Sequence, residues 1–182
     1  MSKIKLQNLY FTPYITEEEI STIVSSLVHK ISLDIDENEI PLFIGVLNGS
    51  FLFAADFIRK YKHNCEISFV KLSSYKGTTS SYTVNELIGI NEDVTGRTVI
   101  ILEDIIDTGT TLHKIYDFFK EKKVKQLKIA TLFFKPDVYK KELPIDYIGK
   151  NIDDKFIVGY GLDYNGLGRN LPAIYQLTTD IK

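Results

Sequence analysis

The sequence predicts an α/β domain in which a central, mostly parallel sheet is flanked by helices. Between residues 42 and 134, short apolar runs alternate with amphipathic segments, which is the element order of a parallel sheet with crossover helices. The most apolar run, Val99–Leu102, is bounded by polar and turn residues, as expected for a fully buried strand. With 44% hydrophobic composition, residues 1–182 suffice for one such domain.

Composition and charge argue against several classes of protein. A formal net charge of −2 is not that of a dedicated nucleic-acid binder, which needs a basic surface. The single cysteine, Cys65, can form no internal disulfide, and the three histidines show no zinc-ligand spacing. The N-terminus lacks the apolar core of a signal peptide, and no run of about 18 apolar residues occurs. We therefore expect a cytoplasmic protein without membrane or nucleic-acid partners.

The first part of the chain predicts a lead-in, a helix and a strand that ends in a tight turn. Residues 1–14 read as irregular because they mix apolar and polar residues without a period. Thr16 and Glu19 form a capping-box pattern, and apolar residues at helical spacing continue from there to about residue 30 or 32. A buried strand at 42–47, a turn at 48–50 and a helix at 51–62 are predicted next.

Further strands and a helix follow between residues 66 and 134. The polar stretch 73–82 shows no periodicity, and we expect a functional lid there. The helix after the central strand ends in lysines, which suit the negative end of its dipole. The predicted elements are strands at 66–72, 84–90, 99–102 and 126–134 and a helix at 109–123.

The segment after residue 135 does not continue the alternation of strands and helices. Short strands are predicted at 146–149, 156–160 and 173–177, around a polar, glycine-bearing loop. We therefore expect a core at about 15–134. A small subdomain beside it is expected to consist mainly of 135–182 together with the N-terminal lead-in.

Polar residues follow the predicted strands at their carboxyl ends, where ligands bind in open α/β sheets. Glu103, Asp104 and Asp107 follow the central strand, and carboxylates suit Mg²⁺ or sugar hydroxyls. The turn Thr108–Thr111 precedes a helix, whose free backbone N–H groups suit a phosphate. The turn lacks the glycine and lysine pattern of the P-loop. These residues alone predict a site for a phosphorylated sugar or a nucleotide.

The segment LEDIIDTGTTL, residues 102–112, resembles the phosphoribosyl-diphosphate (PRPP) binding motif of the type I phosphoribosyltransferases. Other segments resemble the hypoxanthine–guanine phosphoribosyltransferases within that family. These are the pyrophosphate loop 47–50, the start of the lid at 72–75, the strand end 132–135 and the hood segment 154–169. The resemblance spans nearly the whole chain and implies the type I phosphoribosyltransferase fold with a small hood subdomain.

The resemblance implies a reaction in which PRPP and a 6-oxopurine base give a nucleoside monophosphate and pyrophosphate, with Mg²⁺ as cofactor. It implies that Asp107 exchanges a proton with purine N7, and that Asp107, Thr108, Gly109, Thr110 and Thr111 hold the 5′-phosphate. Glu103 and Asp104 would bind the ribose hydroxyls and the metal, and Asp163 would bind a second metal ion. The resemblance implies three further groups: Lys135, Phe156, Ile157 and Asp163 for the purine, Asn48, Gly49, Ser50 and Arg169 for pyrophosphate, and Ser74 and Tyr75 in the lid.

Two positions depart from the family pattern, and some questions stay open. The family commonly has a basic residue at Thr110, and some members have Lys at Asn48. By resemblance we expect a cis peptide bond between Leu47 and Asn48. The preference among hypoxanthine, guanine and xanthine is left open, as is the choice between homodimer and homotetramer. The alternative functions are a transferase that prefers xanthine and a PRPP-sensing regulator that binds nucleic acid.

Overall fold

The structure is a computed structural model that describes residues 2–72, 87, 88, 90 and 92–178. The predicted lid, with Ser74 and Tyr75, lies outside these residues. The three helices are α1 (Glu17–Asp34), α2 (Phe51–Lys60) and α3 (Thr110–Glu121). The described strands are β1 (Ile4–Leu6), β2 (Leu9–Ile15), β3 (Leu42–Val46), β4 (Glu66–Leu72), β5 (Leu87–Ile88), β6 (Thr98–Ile106), β7 (Gln126–Phe134), β8 (Tyr147–Asn151), β9 (Ile157–Val158) and β10 (Ile174–Leu177).

A six-stranded sheet forms the centre of the molecule, in the order β5-β4-β3-β6-β7-β8. All neighbouring strands from β4 to β8 are parallel, and only β5 is antiparallel, to β4. This arrangement confirms the prediction of a mostly parallel α/β sheet. The carboxyl ends of β3, β6 and β7 therefore meet at one edge of the sheet, where α/β proteins bind their ligands.

Helices cover both faces of this sheet. Successive side chains of a strand point to opposite faces, so each strand contributes apolar side chains to both layers. On β3 and β6, Phe43 and Ile100 pack in the same cluster as residues of α1 and α2. Their neighbours Ile44 and Ile101 pack on the other face, in the same cluster as residues of α3. Both faces are apolar, so the strands read as continuous hydrophobic runs in the sequence.

The capping box predicted at the start of α1 is present. The Glu19 backbone N–H donates to Thr16 Oγ1 over 3.1 Å, and the Thr16 N–H donates to Glu19 Oε2 over 2.9 Å. These bonds satisfy two of the donors that a helix start leaves free. Among the described residues, no helix is both long enough and apolar enough to cross a membrane.

A second, four-stranded sheet joins the two ends of the chain, in the order β1-β2-β10-β9. The prediction of an irregular lead-in at residues 1–14 is therefore wrong, since β1 and β2 lie there. Pro13 obscured the pattern because proline cannot donate to a ladder, and it lies opposite Tyr175 where the register of β10 shifts. Phe11 and Val158 are fully buried in a small core of this sheet.

One further strand differs from the sequence prediction. β8 pairs in parallel with β7 and extends the central sheet, whereas the sequence placed residues 146–149 in the small subdomain. Tyr147 packs into the same cluster as residues of α1. Tyr147 therefore belongs to the environment of the central sheet. The predicted boundary near residue 134, between core and subdomain, does not coincide with the division between the two sheets.

Candidate active site

Loops from β3 and from the hood segment 154–169 meet at the carboxyl edge of the central sheet. The peptide bond between Leu47 and Asn48 is cis, which confirms the expectation drawn from the resemblance. A Cβ at Gly49 would overlap the Asp104 carboxylate, and a Cβ at Gly161 would overlap the Gly49 carbonyl oxygen. Glycine at both positions lets the two loops and the end of β6 approach more closely than any side chain would allow.

A cavity of about 300 Å³ lies between the sheet edge and the hood. Eight of the predicted site residues line it: Gly49, Asp104, Asp107, Lys135, Phe156, Ile157, Asp163 and Arg169. Phe156 is 45% exposed, which leaves part of its ring free to stack on a planar ligand. The cavity is thus an open, mostly charged pocket with one aromatic ring, Phe156, and two aliphatic side chains, Ile157 and Leu162, on its hood side.

A second, smaller cavity of about 100 Å³ lies beside the first, above the start of α3. Glu103 and residues 105–112 line it, including all of the predicted phosphate loop. Gly109 is the N-cap of α3, with φ of +75°, a left-handed conformation that glycine adopts without strain. The Thr108 and Thr110 hydroxyls lie 3.3 Å apart. Hydroxyls beside a free helix start suit an anion such as a phosphate.

Glu103 and Asp104 are buried side by side at the end of β6. Burial raises the pKa of Glu103 well above its usual range, and the neighbouring Asp104 charge adds to this. Burial also raises the pKa of Asp104, to about 6. Glu103 Oε2 has no hydrogen-bond partner among the described residues. Two buried carboxylates with an unpartnered oxygen are costly alone and fit a divalent cation.

The described residues supply only part of a coordination shell. Among them, no cluster of three or more His, Cys, Asp or Glu side chains is arranged to hold a metal. Mg²⁺ commonly binds one or two carboxylates and completes its octahedron with substrate phosphates and water. The pair Glu103 and Asp104 fits that mode of binding, in which the cation arrives with its phosphate ligand.

Lys135 lies at the end of β7 with its ammonium between two carboxylates. Its side chain is 7% exposed, and Nζ lies 3.0 Å from Asp154 Oδ1 and 3.4 Å from Asp107 Oδ2. Sequence reasoning missed Asp154 because it belongs to an acidic pair with Asp153. No sequence signal tells which of two adjacent acids reaches a lysine.

Arg169 lines the larger cavity and links two other residues of the hood segment, Asp163 and Gly161. Its Nη2 pairs with Asp163 Oδ1 and its Nη1 donates to the Gly161 carbonyl, each over 2.6 Å. The other Asp163 oxygen accepts from the Gly166 N–H, also over 2.6 Å. These bonds hold the predicted pyrophosphate and metal residues in one rigid turn.

Not all of the predicted residues reach these cavities. Ser50 is fully buried and its hydroxyl donates to the Val46 carbonyl over 2.7 Å, as the first residue before α2. Asn48 is exposed beside Gly49 and does not line the larger cavity. In contrast, Lys155 and Leu162 line that cavity although sequence reasoning assigned them no role. The sequence signal that could have identified Lys155 is its position directly before Phe156, a predicted site residue.

A further cavity, of about 570 Å³, lies elsewhere, between α1, α2 and the hood. Glu17, Asp56, Arg59, Lys60 and Tyr160 are among its lining residues, and none of them is a predicted site residue. The Tyr160 hydroxyl donates to Asp56 over 2.7 Å, so that polar groups of this cavity satisfy each other. The smaller cavities therefore hold the better candidate for chemistry, because buried charge converges there.

Comparisons with known proteins agree on the family. Residues 15–165 match the phosphoribosyl transferase domain. The hypoxanthine-guanine phosphoribosyltransferase of Staphylococcus epidermidis is 39% identical over 168 residues, which cover 92% of this chain and 93% of that protein. The protein of the same name from Aquifex aeolicus is 36% identical over 162 residues, 88% of this chain and 91% of that protein.

Solved structures show the same similarity. A crystal structure of a hypoxanthine-guanine phosphoribosyltransferase from Bacillus anthracis superposes with a TM-score of 0.84 at 40% identity, covering 94% of this chain and all of that chain. The Trypanosoma cruzi hypoxanthine phosphoribosyltransferase, as a variant in a ternary substrates complex, gives a TM-score of 0.82 at 32% identity, covering 92% of this chain and 95% of that chain.

Proposed function

This chain belongs to the phosphoribosyltransferase family, and from that premise we propose that it is an enzyme of purine salvage. It transfers the 5-phosphoribosyl group from PRPP to hypoxanthine, and to guanine, to form IMP or GMP with release of pyrophosphate. One observation in particular supports this function. Asp107 lines both the larger cavity and the phosphate-loop cavity, so one carboxylate lies between a place for a planar base and a place for a phosphate.

The phosphate end of PRPP binds at the start of α3. Backbone N–H groups and hydroxyls of Thr108–Thr111 donate to the 5′-phosphate, and the helix dipole favours its negative charge. Thr110 supplies a hydroxyl where relatives in the family commonly carry a basic residue, so this loop relies on neutral donors. Glu103 and Asp104 would bind the ribose hydroxyls and hold Mg²⁺, and Asp163 would hold a second Mg²⁺. Bound there, Mg²⁺ would supply positive charge that offsets the charge of the pyrophosphate.

The pyrophosphate end of PRPP binds between Gly49 and Arg169. The exposed side chain of Asn48 and the backbone of Gly49 offer donors, and Arg169 offers a guanidinium. The hydroxyl and the backbone N–H of Ser50 both donate to the Val46 carbonyl, so Ser50 serves the pyrophosphate site by positioning the loop.

The base binds against Phe156 in the cavity of about 300 Å³ between the sheet edge and the hood. The Lys135 ammonium donates to the 6-oxo oxygen, while the backbone groups of Ile157 and Asp163 contact the ring edge. Adenine carries an amino donor at that position, so the remaining N–H of the Lys135 ammonium would face a donor and lack an acceptor, which disfavours adenine. As the other imidazole nitrogen attacks the ribose carbon and pyrophosphate leaves, Asp107 accepts the proton from purine N7.

The enzyme acts in the cytoplasm as a homodimer or homotetramer, by resemblance to its family. A preference for xanthine remains the alternative closest in chemistry, since the fold would be the same. A nucleic-acid-binding regulator is not favoured, because the named relatives are hypoxanthine-guanine phosphoribosyltransferases and the net charge is −2.

Steady-state kinetics with four bases in parallel test this function. Hypoxanthine, guanine, xanthine and adenine are each supplied with PRPP and Mg²⁺, and nucleotide formation is followed by absorbance. We expect turnover of hypoxanthine and guanine, little with adenine, and none once the metal is chelated. Absence of turnover with all 6-oxopurines, together with salt-sensitive RNA binding, would contradict the proposal.

A further inference from the structure

The Lys135 ammonium contacts two acids, Asp107 of the candidate active site and Asp154 of the hood. The backbone N–H of Lys135 donates to the Ile106 carbonyl over 3.0 Å, which fixes this residue next to Asp107. From there its side chain reaches across to Asp154, and the contact with Asp154, 3.0 Å, is shorter than the 3.4 Å contact with Asp107. The side chain of Asp154 is 57% exposed, so it faces the open side of the buried ammonium.

An ammonium has three N–H donors in fixed directions about Nζ. Asp154 takes one and Asp107 takes another, which leaves the third for a ligand in the cavity. If the Asp154 charge were lost, Asp107 would be the remaining carboxylate within contact of Nζ among the described residues. A poorly hydrated ammonium moves toward its remaining counter-charge. That movement would withdraw Lys135 from the base and would occupy the Asp107 oxygen needed at purine N7.

We propose that Asp154 is a positioning residue that keeps the Lys135 ammonium from moving closer to Asp107 and directs its free N–H at the purine 6-oxo group. Asp154 thereby sets the selectivity for 6-oxopurines over 6-aminopurines. This inference rests on the proposed function, because it concerns the base of that reaction.

The place of Asp154 in the chain adds a second effect. It lies two residues before Phe156, on the hood, whereas Lys135 lies on the central sheet. The contact therefore connects the group that reads the 6-position to the segment carrying the ring that stacks on the base. Apart from Asp107, the phosphate-loop residues 108–111 line the other cavity and not this one.

Kinetics of Asp154→Asn test the proposal, with Asp153→Asn as the matched control, since it removes the same charge one residue away. In Asp154→Asn we expect the KM for hypoxanthine to rise about tenfold, as for a lost hydrogen bond to a charged group with partial solvent screening. The KM for PRPP should stay within about twofold, and the preference for hypoxanthine over adenine in kcat/KM should fall. Asp154→Glu should recover part of the loss, and Asp153→Asn should behave like the unmodified protein.

A double-mutant cycle separates positioning from general stabilisation of the hood. In a Lys135→Ala background, Asp154→Asn should have almost no further effect, because the group it positions is gone. An equal loss in both backgrounds, or a matching rise in the KM for PRPP, would overturn the proposal.

Calorimetric binding of IMP and AMP provides a readout that does not need turnover. The unmodified protein should bind IMP in preference to AMP, and Asp154→Asn should lose that preference. If the unmodified protein turns over no base and yet shows both binding results, the proposed function fails and the inference stands. If it is active and Asp154→Asn keeps both its kinetics and its preference for IMP, the inference fails and the function stands.

Discussion

Arg169 and Asp163 form an ion pair with a separation of 2.6 Å between Nη2 and Oδ1, and both residues line the cavity that Lys135 also lines. The same guanidinium donates to the Gly161 carbonyl, and Gly161 in turn lies against Gly49. The two residues proposed for pyrophosphate and for its metal ion therefore neutralise each other in the free protein. Substrate binding has to exchange this pair for contacts with phosphate and cation.

Arg169→Lys should weaken PRPP binding selectively. Lysine carries the charge but lacks the planar fork that contacts Asp163 and the Gly161 carbonyl together. We expect the KM for PRPP to rise about tenfold, the size of one charged hydrogen bond, with a smaller change in the KM for hypoxanthine. Arg59→Lys, at a residue with an 81% exposed side chain, is the control and should leave both values unchanged. An unchanged KM for PRPP in Arg169→Lys would remove Arg169 from the pyrophosphate site.

Asp107→Asn should reduce turnover much more than PRPP affinity. Asparagine keeps the size of the side chain and can still receive a hydrogen bond, but it cannot take up a proton from purine N7. The expected fall in kcat is about 10²–10⁴-fold, the usual contribution of a general base. PRPP affinity is measured by calorimetry and kcat by single-turnover kinetics. An Asp107→Asn enzyme with normal kcat would show that another group accepts the proton.

Gly161→Ala should disturb the active site through the approach of two loops. The alanine Cβ would meet the Gly49 carbonyl, and residue 161 has a φ of +100°. Gly96→Ala is the matched control, because Gly96 also has a positive φ, of +70°, with nothing within 4 Å of its Cβ position. We expect Gly96→Ala to lower the free energy of unfolding by about 1 kcal/mol with normal activity.

Gly161→Ala should lower the free energy of unfolding more than Gly96→Ala does, and should also reduce kcat/KM for PRPP. Urea unfolding and kinetics on both variants give the two quantities. Equal effects on stability with intact activity would mean that the loop yields to the added methyl group without cost.

Asp104 should make the free protein less stable as the pH rises. Its pKa is raised to about 6 by burial, from an ordinary value of 3.8. Because the folded state retains a proton that the unfolded chain has lost, the stabilisation is fully present below about pH 4 and is lost as the pH passes about 6. The loss amounts to at most about 3 kcal/mol, at 1.36 kcal/mol for each pKa unit.

Urea unfolding at several pH values measures this effect as a difference between proteins. Asp104→Asn removes the titration, so its free energy of unfolding relative to the unmodified protein should rise from about pH 4 to about pH 7. Asp93→Asn is the control of opposite sign, because the Thr95 N–H lowers the pKa of Asp93. A difference between Asp104→Asn and the unmodified protein that is independent of pH would show that Asp104 titrates normally.

Local patterns in the sequence predicted most of the central sheet and the centre of the site. The alternation from 42 to 134 predicts β3, β6 and β7 in place, because buried parallel strands are continuous apolar runs. The capping box predicts the start of α1 for a similarly local reason. Asp107 and the turn at Thr108–Thr111 were predictable together because one continuous segment carries them to one strand end.

Contacts between distant segments could not be predicted in the same way. β2 and β10 pair across more than 150 residues, and Pro13 hides the strand pattern of β2. β8 joins the central sheet through its partner β7, which its own short sequence does not indicate. The Ser50 hydroxyl turns into the core because its preferred acceptor, the Val46 carbonyl, lies within reach there.

The sequence alone was thus sufficient to identify acids next to a phosphate loop between Glu103 and Thr111, since both features are local. What those acids do was decided by the tertiary structure. Burial raises the pKa of Asp104, and one Glu103 oxygen has no hydrogen-bond partner within the described part of the chain. The hood supplies Asp154 to the ammonium of Lys135. Charge state and partner choice depend on the dielectric and the groups within a few ångströms, which only the folded arrangement specifies.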